Sequence, residues 1–397
     1  MSIEATFQSA IATSKINGAH VLATNSASTF TYTHLPGTRT LLSGEKRPHT
    51  PDDILYLASA TKLITTISAL QCVDAGLLSL NTPLTSTLPE LASQQVLTPS
   101  GALEPGKNEI TLAMLLSHTS GAAYDFLTPR LAEYRAAHPG VEGKRPVEQA
   151  FDYPLAFHPG EGWMYGPGLD WAGRAVERVS RMRLGEWVRQ RICEPLGIEK
   201  RGVQFFPVEG EDVRQRMVDL HPQDPEGVGK AVLGGGGEMN RRSEGDFGGH
   251  GLFMTAEGYL KVLKSVLGND GVLLSKETGE LLVRDQVREE ARCVFREALE
   301  GPIGPFFRVG TEAGMDVGYG LGGLLMNESV EGWYGKGTFT WGGGLTFAWF
   351  VDRENDLCAL AAVQAVLPVD GKVVEELKQT FRKDVYRKYA AWKEGKV

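Results

Sequence analysis

The sequence predicts an α+β fold in which an antiparallel sheet is assembled from both chain termini and flanked by helices. A mainly helical domain is inserted between the two halves, with a cleft at the junction. Three observations predict it. β-like runs cluster near residues 20–34 and 338–366. Apolar residues recur at helical spacing through much of the chain between them. The last segment sets Val374, Leu377, Phe381, Val385 and Tyr389 three to four apart, one face of a long terminal helix. The expected division is residues 1–90 and 315–397 for the sheet domain and 91–314 for the insertion.

In chain order, the opening residues read as a helix closed by Asn17-Gly18, a turn dipeptide. His20-Val-Leu-Ala-Thr24 and Thr29-Phe-Thr-Tyr-Thr-His34 follow as a hairpin across a Ser/Asn cluster. Thr61 to Ala75 carries Leu63, Ile64, Ile67, Leu70 and Val73 at helical positions, with Gly76 just past its end. Thr111 caps a second helix through Leu116, and Leu169–Val179 and Leu184–Cys193 read as two more. The glycine run 234–237 lies in a polar stretch and reads as a mobile loop. Thr338–Trp341, Leu345–Val351 and Leu357–Val366 are strands, with a turn at Asp352–Asp356.

Composition bounds the function. With 397 residues, 42% of them hydrophobic, the chain is long enough for a large core and too apolar to be disordered. A net charge of −8 argues against a nucleic-acid partner, which calls for a face rich in Lys and Arg. Cys72, Cys193, Cys293 and Cys358 lie far apart, with neither a disulfide framework nor zinc spacing. The N-terminus has no basic segment followed by an apolar run, and no stretch is long enough to cross a bilayer. The expectation is a cytoplasmic protein with no membrane partner.

The chemistry-bearing segment is Leu57-Ala-Ser59-Ala-Thr-Lys62, opening an apolar helix. A serine at a helix start and a lysine three residues on share one face, a turn apart. Unpaired N–H groups and the positive end of the helix favour an anion developing at the serine, and a desolvated lysine can accept its proton. A second SxxK, Ser43-Gly-Glu-Lys46, sits in a polar stretch with no helical period and reads as a solvated loop. Downstream, Tyr165 stands in the Gly/Pro-rich turn His158-Pro-Gly-Glu-Gly-Trp-Met-Tyr165-Gly-Pro-Gly168. Trp341-Gly-Gly-Gly344 supplies a bare strand edge that a substrate can approach closely. Nucleophile, proton carrier, phenolic relay and bare edge suffice for acyl transfer through a covalent intermediate.

With these motifs the chain resembles the serine β-lactamase/penicillin-binding-protein superfamily. The likeness is to the esterase and acyltransferase branch, and within it to fungal statin (lovastatin) side-chain acyltransferases, over nearly the whole length. Ser59-Ala-Thr-Lys62, Tyr165-Gly-Pro167 and Trp341-Gly-Gly343 fit its three motifs. Ile110-Thr-Leu-Ala-Met-Leu-Leu-Ser-His-Thr-Ser-Gly121, Tyr165-Gly-Pro-Gly-Leu-Asp-Trp-Ala-Gly173, Glu194-Pro-Leu-Gly197 and Phe247-Gly-Gly-His-Gly251 fit its surrounding phrases. The resemblance implies a β-lactamase/transpeptidase-like fold and catalysis by Ser59, Lys62 and Tyr165, with an oxyanion hole from the amides of Ser59 and Gly344. It implies no metal or other cofactor. Two departures matter. Pro167 stands where many lactamases have an asparagine, and Trp341 where they have a cation facing a carboxylate, so β-lactam hydrolysis is not expected and an uncharged, apolar substrate is.

The activity expected is ping-pong acyl transfer. The donor is a small thioester or ester, with an acyl carrier protein or CoA as the candidate carriers of a thioester. The acceptor is the hydroxyl of a small polyketide or terpenoid-type secondary metabolite. A carboxylesterase or thioesterase using water shares every step up to the acyl-enzyme, and a non-catalytic binding protein is the reading from another class. Gly343, Trp341, His250, Tyr124, Phe126 and Trp163 are expected to contact substrate. For the aromatic residues among them, as for Phe205 and Phe206, core packing competes with that role. His118, ending an apolar helix, is expected to hydrogen-bond within its turn. Gly318-Tyr-Gly-Leu-Gly-Gly323 matches a nucleotide-loop pattern, but a strand rather than a helix is expected after it. Arg241-Arg242 is too small a cluster to dock an acidic carrier protein.

Overall fold

The computed structural model describes residues 1–235, 237–302 and 304–396. Its main sheet has seven antiparallel strands drawn from the two ends of the chain. The strands that position the site are β1 (Ile16–Thr24), β2 (Thr31–His34), β3 (Ile54–Tyr56), β4 (Gln204–Phe205), β5 (Leu252–Thr255), β6 (Val317–Tyr319), β7 (Leu324–Met326), β8 (Phe339–Gly343), β9 (Phe347–Asp352) and β10 (Leu357–Ala365). The helices are α1 (Ile3–Ala12), α2 (Thr61–Asp74), α3 (Leu112–Leu116), α4 (Gly168–Ser180), α5 (Leu184–Val188), α6 (Ala256–Gly268) and α7 (Gly371–Lys393).

The sheet order is β6-β7-β8-β9-β10-β1-β2. Strand β1 pairs with β10 from Ile16↔Ala365 to Thr24↔Cys358, so the first and last strands meet in the sheet interior. Both faces of β10 are buried along its whole length, which is why it reads as an unbroken apolar run and not as an alternating one. Helices α1 and α7 pack together and on β1 and β10, while α6 packs on β1, β9 and β10. The five residues expected on the inner face of α7 are all buried.

The hairpin, the late strands, α2, α4 and the Thr111 cap, whose hydroxyl accepts from the Met114 amide, all form where expected. Gly76, at φ +69°, follows α2 as a C′ residue. Asn17-Gly18 is not a turn. It lies inside β1, where the register slips between Ile16 and Gly18, and the chain reverses at residues 13–15 instead. The expected helix Leu184–Cys193 stops being α-helical at Val188 and continues as a wider π-type turn over Arg189–Cys193. The run 234–237 separates two short helices, Lys230–Leu233 and Glu238–Arg241, and Gly236 lies outside the described residues. After Gly318–Gly323 the chain enters β7, a strand, as expected.

A second sheet, ordered β3-β5-β4, joins the two parts of the chain that the sequence assigns to different domains. Its strand β3 runs directly into the Ser59 turn. Among the described residues, no helix is long and apolar enough to cross a membrane.

Candidate active site

Ser59 lies in a single 3₁₀ turn, Ala58–Ala60, at the front of α2. Every residue of α2 from Thr61 to Leu70 is buried, so the helix is a rigid post inside the molecule. The turn before it is held from three sides. The Leu57 amide donates to Leu252 O at 3.0 Å, the Leu252 amide to Thr61 Oγ1 at 3.1 Å, and Tyr259 Oη to Ala60 O at 3.0 Å. Ala58 takes φ +42°, a left-handed conformation costly for alanine and held by these surroundings. Ser59 is only half-buried while its neighbours Ala58, Ala60, Thr61 and Lys62 are buried.

The end of β8 packs against this turn. A methyl group on Gly343 would lie 1.9 Å from Leu57 O and 3.1 Å from Ala60 N, so only glycine permits the approach. Gly344 then leaves the strand at φ +53°. Among the described residues no backbone carbonyl accepts from the amide of Ser59 or of Gly344.

Lys62 is fully buried. Its Nζ donates to Gly249 O at 2.7 Å and to Tyr124 Oη at 3.4 Å, and stands 4.6 Å from the centre of the Tyr165 ring. The Tyr165 hydroxyl is buried with no partner among the described residues. Lysine and tyrosine are thus brought together, with the ammonium over the tyrosine ring and no hydrogen bond between them among the described residues. Such contacts commonly close only around a bound substrate.

His118, at φ +60°, is buried and bonds outside its own turn, to the Tyr165 loop. Its Nδ1 accepts from the Gly166 amide at 3.3 Å, which assigns the ring proton to Nε2, and its ring centre lies 4.6 Å from that of Tyr165. Burial, and after it the charge of Lys62, push its titration well below the usual histidine range. It is a neutral support for Tyr165.

The other expected contacts sort into three places. Trp341 is buried on β8 with its ring 5.4 Å from Tyr165. Trp163 is fully buried in an aromatic stack with Phe295, Phe307 and Tyr319, so it backs the site and cannot reach a substrate. Phe205 is buried, and Phe206 packs on Tyr56 and Phe253 instead of facing the cleft. Tyr124 and Phe126, stacked 5.0 Å apart, wall a cleft of about 230 Å³ whose other apolar residues include Phe151, Met239 and Phe247. Phe126 is 63% exposed. His250 is buried behind Phe247, with Nε2 3.4 Å from Ser243 Oγ and Nδ1 3.6 Å from Asp170 Oδ1.

Two cleft and site features have no role in the sequence motifs, although Asp170 lies within the phrase Tyr165–Gly173. Arg145 lines the cleft nine-tenths buried, with no carboxylate at salt-bridge distance among the described residues and its Nε unpartnered. Asp170, in the first turn of α4, is wholly buried. Elsewhere, His20, His49 and Asp53 converge with metal-like spacing, but Arg39 and Thr50 already engage the Asp53 carboxylate, which reads as a network locking β1 to the chain before β3. Ser43 and Lys46 are exposed, as expected, but only Ser43 lies in a turn; Lys46 opens a short strand paired with Thr38–Thr40.

The family profile described as Beta-lactamase matches residues 3–379. Lovastatin esterase from Penicillium rubens is 56% identical over 98% of this chain and 99% of its own. Monacolin J acid methylbutanoyltransferase from Aspergillus terreus is 33% identical over 98% and 95%. A solved mutant of simvastatin synthase (LovD) from Aspergillus terreus superposes with a TM-score of 0.85 at 32% identity, covering 98% and 96%. The chain belongs to the Beta-lactamase family, as a serine esterase or acyltransferase of it.

Proposed function

We propose that this chain hydrolyses the acyl side-chain ester of a statin-like polyketide acid through a Ser59 acyl-enzyme. The observation that carries the reading is the 56% identity to lovastatin esterase along both whole chains, against 33% to the methylbutanoyltransferase. Water in place of an alcohol as acceptor thus becomes the favoured second step. Acyl transfer to an alcohol, the first expectation from the motifs, remains the second reading, favoured by the likeness to simvastatin synthase.

In this mechanism Ser59 Oγ attacks the ester carbonyl while its proton passes to the Lys62/Tyr165 pair. The amides of Ser59 and Gly344 receive the oxyanion, a contribution of about 3–4 kcal/mol for each such donor. The alcohol leaves with the proton from the pair. Water then attacks the acyl-enzyme, gives its proton to the same pair, and Ser59 regains it as the acid departs. Arg145 supports an acidic substrate, because a buried guanidinium without a carboxylate gains most from a charge-assisted, two-pronged pair. The motif departures at Pro167 and Trp341 argue for an uncharged group at the reacting end. Arg145, on the wall of the cleft beside Tyr124 and Phe126, is the group that would meet the charge.

The test is product partition. Purified enzyme is given a lovastatin-type ester with rising concentrations of candidate alcohols, and Ser59→Ala is run alongside with intact-mass detection of the acyl adduct. Hydrolysis undiminished by alcohol, and no adduct on Ser59→Ala, are expected. Transfer product that grows with alcohol at the expense of free acid overturns the esterase reading, and an adduct on Ser59→Ala overturns the nucleophile.

A further inference from the structure

Asp170 is a carboxylate buried with no lysine or arginine at salt-bridge distance among the described residues, and such burial costs several kcal/mol unless each oxygen is well used. Its uses are specific. Oδ1 accepts from the Gly249 amide at 2.8 Å, and Oδ2 accepts from Tyr124 Oη at 3.4 Å. The Gly249 carbonyl and the Tyr124 hydroxyl are the two groups that receive Lys62 Nζ.

The directions of these bonds agree. A phenol has one proton to donate, and Tyr124 spends it on Asp170, which turns its lone pairs toward the lysine. Burial, and then the Asp170 charge, push the Tyr124 titration well above the usual range, so it stays a neutral phenol able to do this. Only glycine fits at 249, since a methyl group there would lie 2.3 Å from Asp170 Oδ2. On its other side Thr65 Oγ1 donates to Gly248 O at 2.7 Å, so the Gly248-Gly249 strap is clamped between α2 and α4. The carboxylate sits in the first turn of α4, where the helix end favours negative charge.

We propose that Asp170 is the positioning residue for Lys62, fixing both acceptors of its ammonium group and facing it with a buried negative charge. The inference rests on Lys62 serving the Ser59 chemistry proposed above. The other titratable groups at this point are His250, with Nδ1 3.6 Å from Asp170, Tyr165 beneath the lysine, His118, which feels the lysine charge, and Tyr56 and Tyr153, which feel the Asp170 charge.

The experiment is Asp170→Asn, which keeps the shape and removes the charge, assayed with a p-nitrophenyl ester across pH. Expected is a fall in kcat of about ten- to a hundredfold with KM little changed. The acid limb of kcat/KM should move to lower pH, because losing a negative charge makes the lysine/tyrosine pair easier to deprotonate. Tyr124→Phe removes one of the two routes and should cost less, and the double variant should lose less than the product of the two. Wild-type kcat with an unmoved limb in Asp170→Asn, even with a lowered melting temperature, overturns the proposal and leaves a merely structural residue. If Asp170→Asn does not fold, an unmoved limb and kcat in Tyr124→Phe overturn it equally. Neither result touches the Ser59 reading, which fails only if Ser59→Ala still forms the adduct.

Discussion

Gly343 has a role that no other residue type can fill. With a methyl group there, Leu57 O would sit 1.9 Å away, so strand β8 and the Ser59 turn must separate. Since a misplacement of about 1 Å commonly costs about a hundredfold in rate, Gly343→Ala is expected to lower kcat/KM by at least that much while the protein still melts cooperatively. Ester kinetics beside a thermal scan check this. A near-normal rate would mean that the Gly344 amide plays no part at the oxyanion. At this scale the sequence is only partly informative. Ser59, Lys62 and Tyr165 are legible because a serine and a lysine one helical turn apart, and a tyrosine in a Gly/Pro turn, carry their chemistry in local spacing. The roles of Asp170 and Gly249 are not, although both lie in phrases that fit the family, because they are made across the fold: Gly249 meets Lys62 over 187 residues of chain, and Asp170 reaches it only through Gly249 and Tyr124. Arg145 is invisible for a related reason, since only burial distinguishes an unpaired arginine from a surface one.

Strand β3, which delivers the chain to Ser59, brings a titrating group with it. The Tyr56 amide donates to Asp219 Oδ2 at 3.2 Å, and burial, with Asp224 adding to it, pushes the Asp219 carboxyl up from an ordinary 3.8 to about 7. A carboxyl raised in the folded state binds more protons there than in the unfolded chain. Stability from this group is therefore complete below about pH 4, falls by up to about 1.4 kcal/mol per pH unit between there and pH 7, and is level above it. Asp219→Asn keeps an acceptor for Tyr56 without the ionisation. Its melting temperature should match wild type near pH 4 and exceed it by several degrees at pH 8, as calorimetry across pH would register. Equal melting at pH 8 would mean the carboxylate ionises freely. Element types follow the apolar pattern closely here, because β10 and α2 as far as Leu70 are buried on all sides. Where a turn dipeptide misleads, at Asn17-Gly18, pairing with β10 overrides the local preference, and a bulge absorbs the irregularity. The π-type end after α5 has no such local signal.

Over the whole molecule, the two ends of the chain are structurally one piece. The Ile3 amide donates to Asp384 Oδ2 at 2.7 Å, and Tyr386 Oη to Asp352 Oδ2 at 2.6 Å, so α7 ties α1 to the strand pair β9–β10. Its buried Val374, Leu377, Phe381, Val385 and Tyr389 cover the sheet that carries Gly343 and Gly344 at the far end of β8. Large apolar side chains contribute about 1.5–3 kcal/mol each when buried. Five of them rival the whole stability of an ordinary fold, about 5–15 kcal/mol. A chain ending at Asp370 keeps all the proposed catalytic and oxyanion residues, yet it should show neither cooperative melting nor a Ser59 adduct. Adding the missing segment as a separate peptide should restore both in proportion to its occupancy. Melting and intact-mass measurements on the truncated chain decide the matter. Undiminished acylation without the helix would mean that the site is held by α2, α4 and the β3-β5-β4 sheet alone, and that the seven-stranded sheet does not need α7 to hold Gly344 against Ser59.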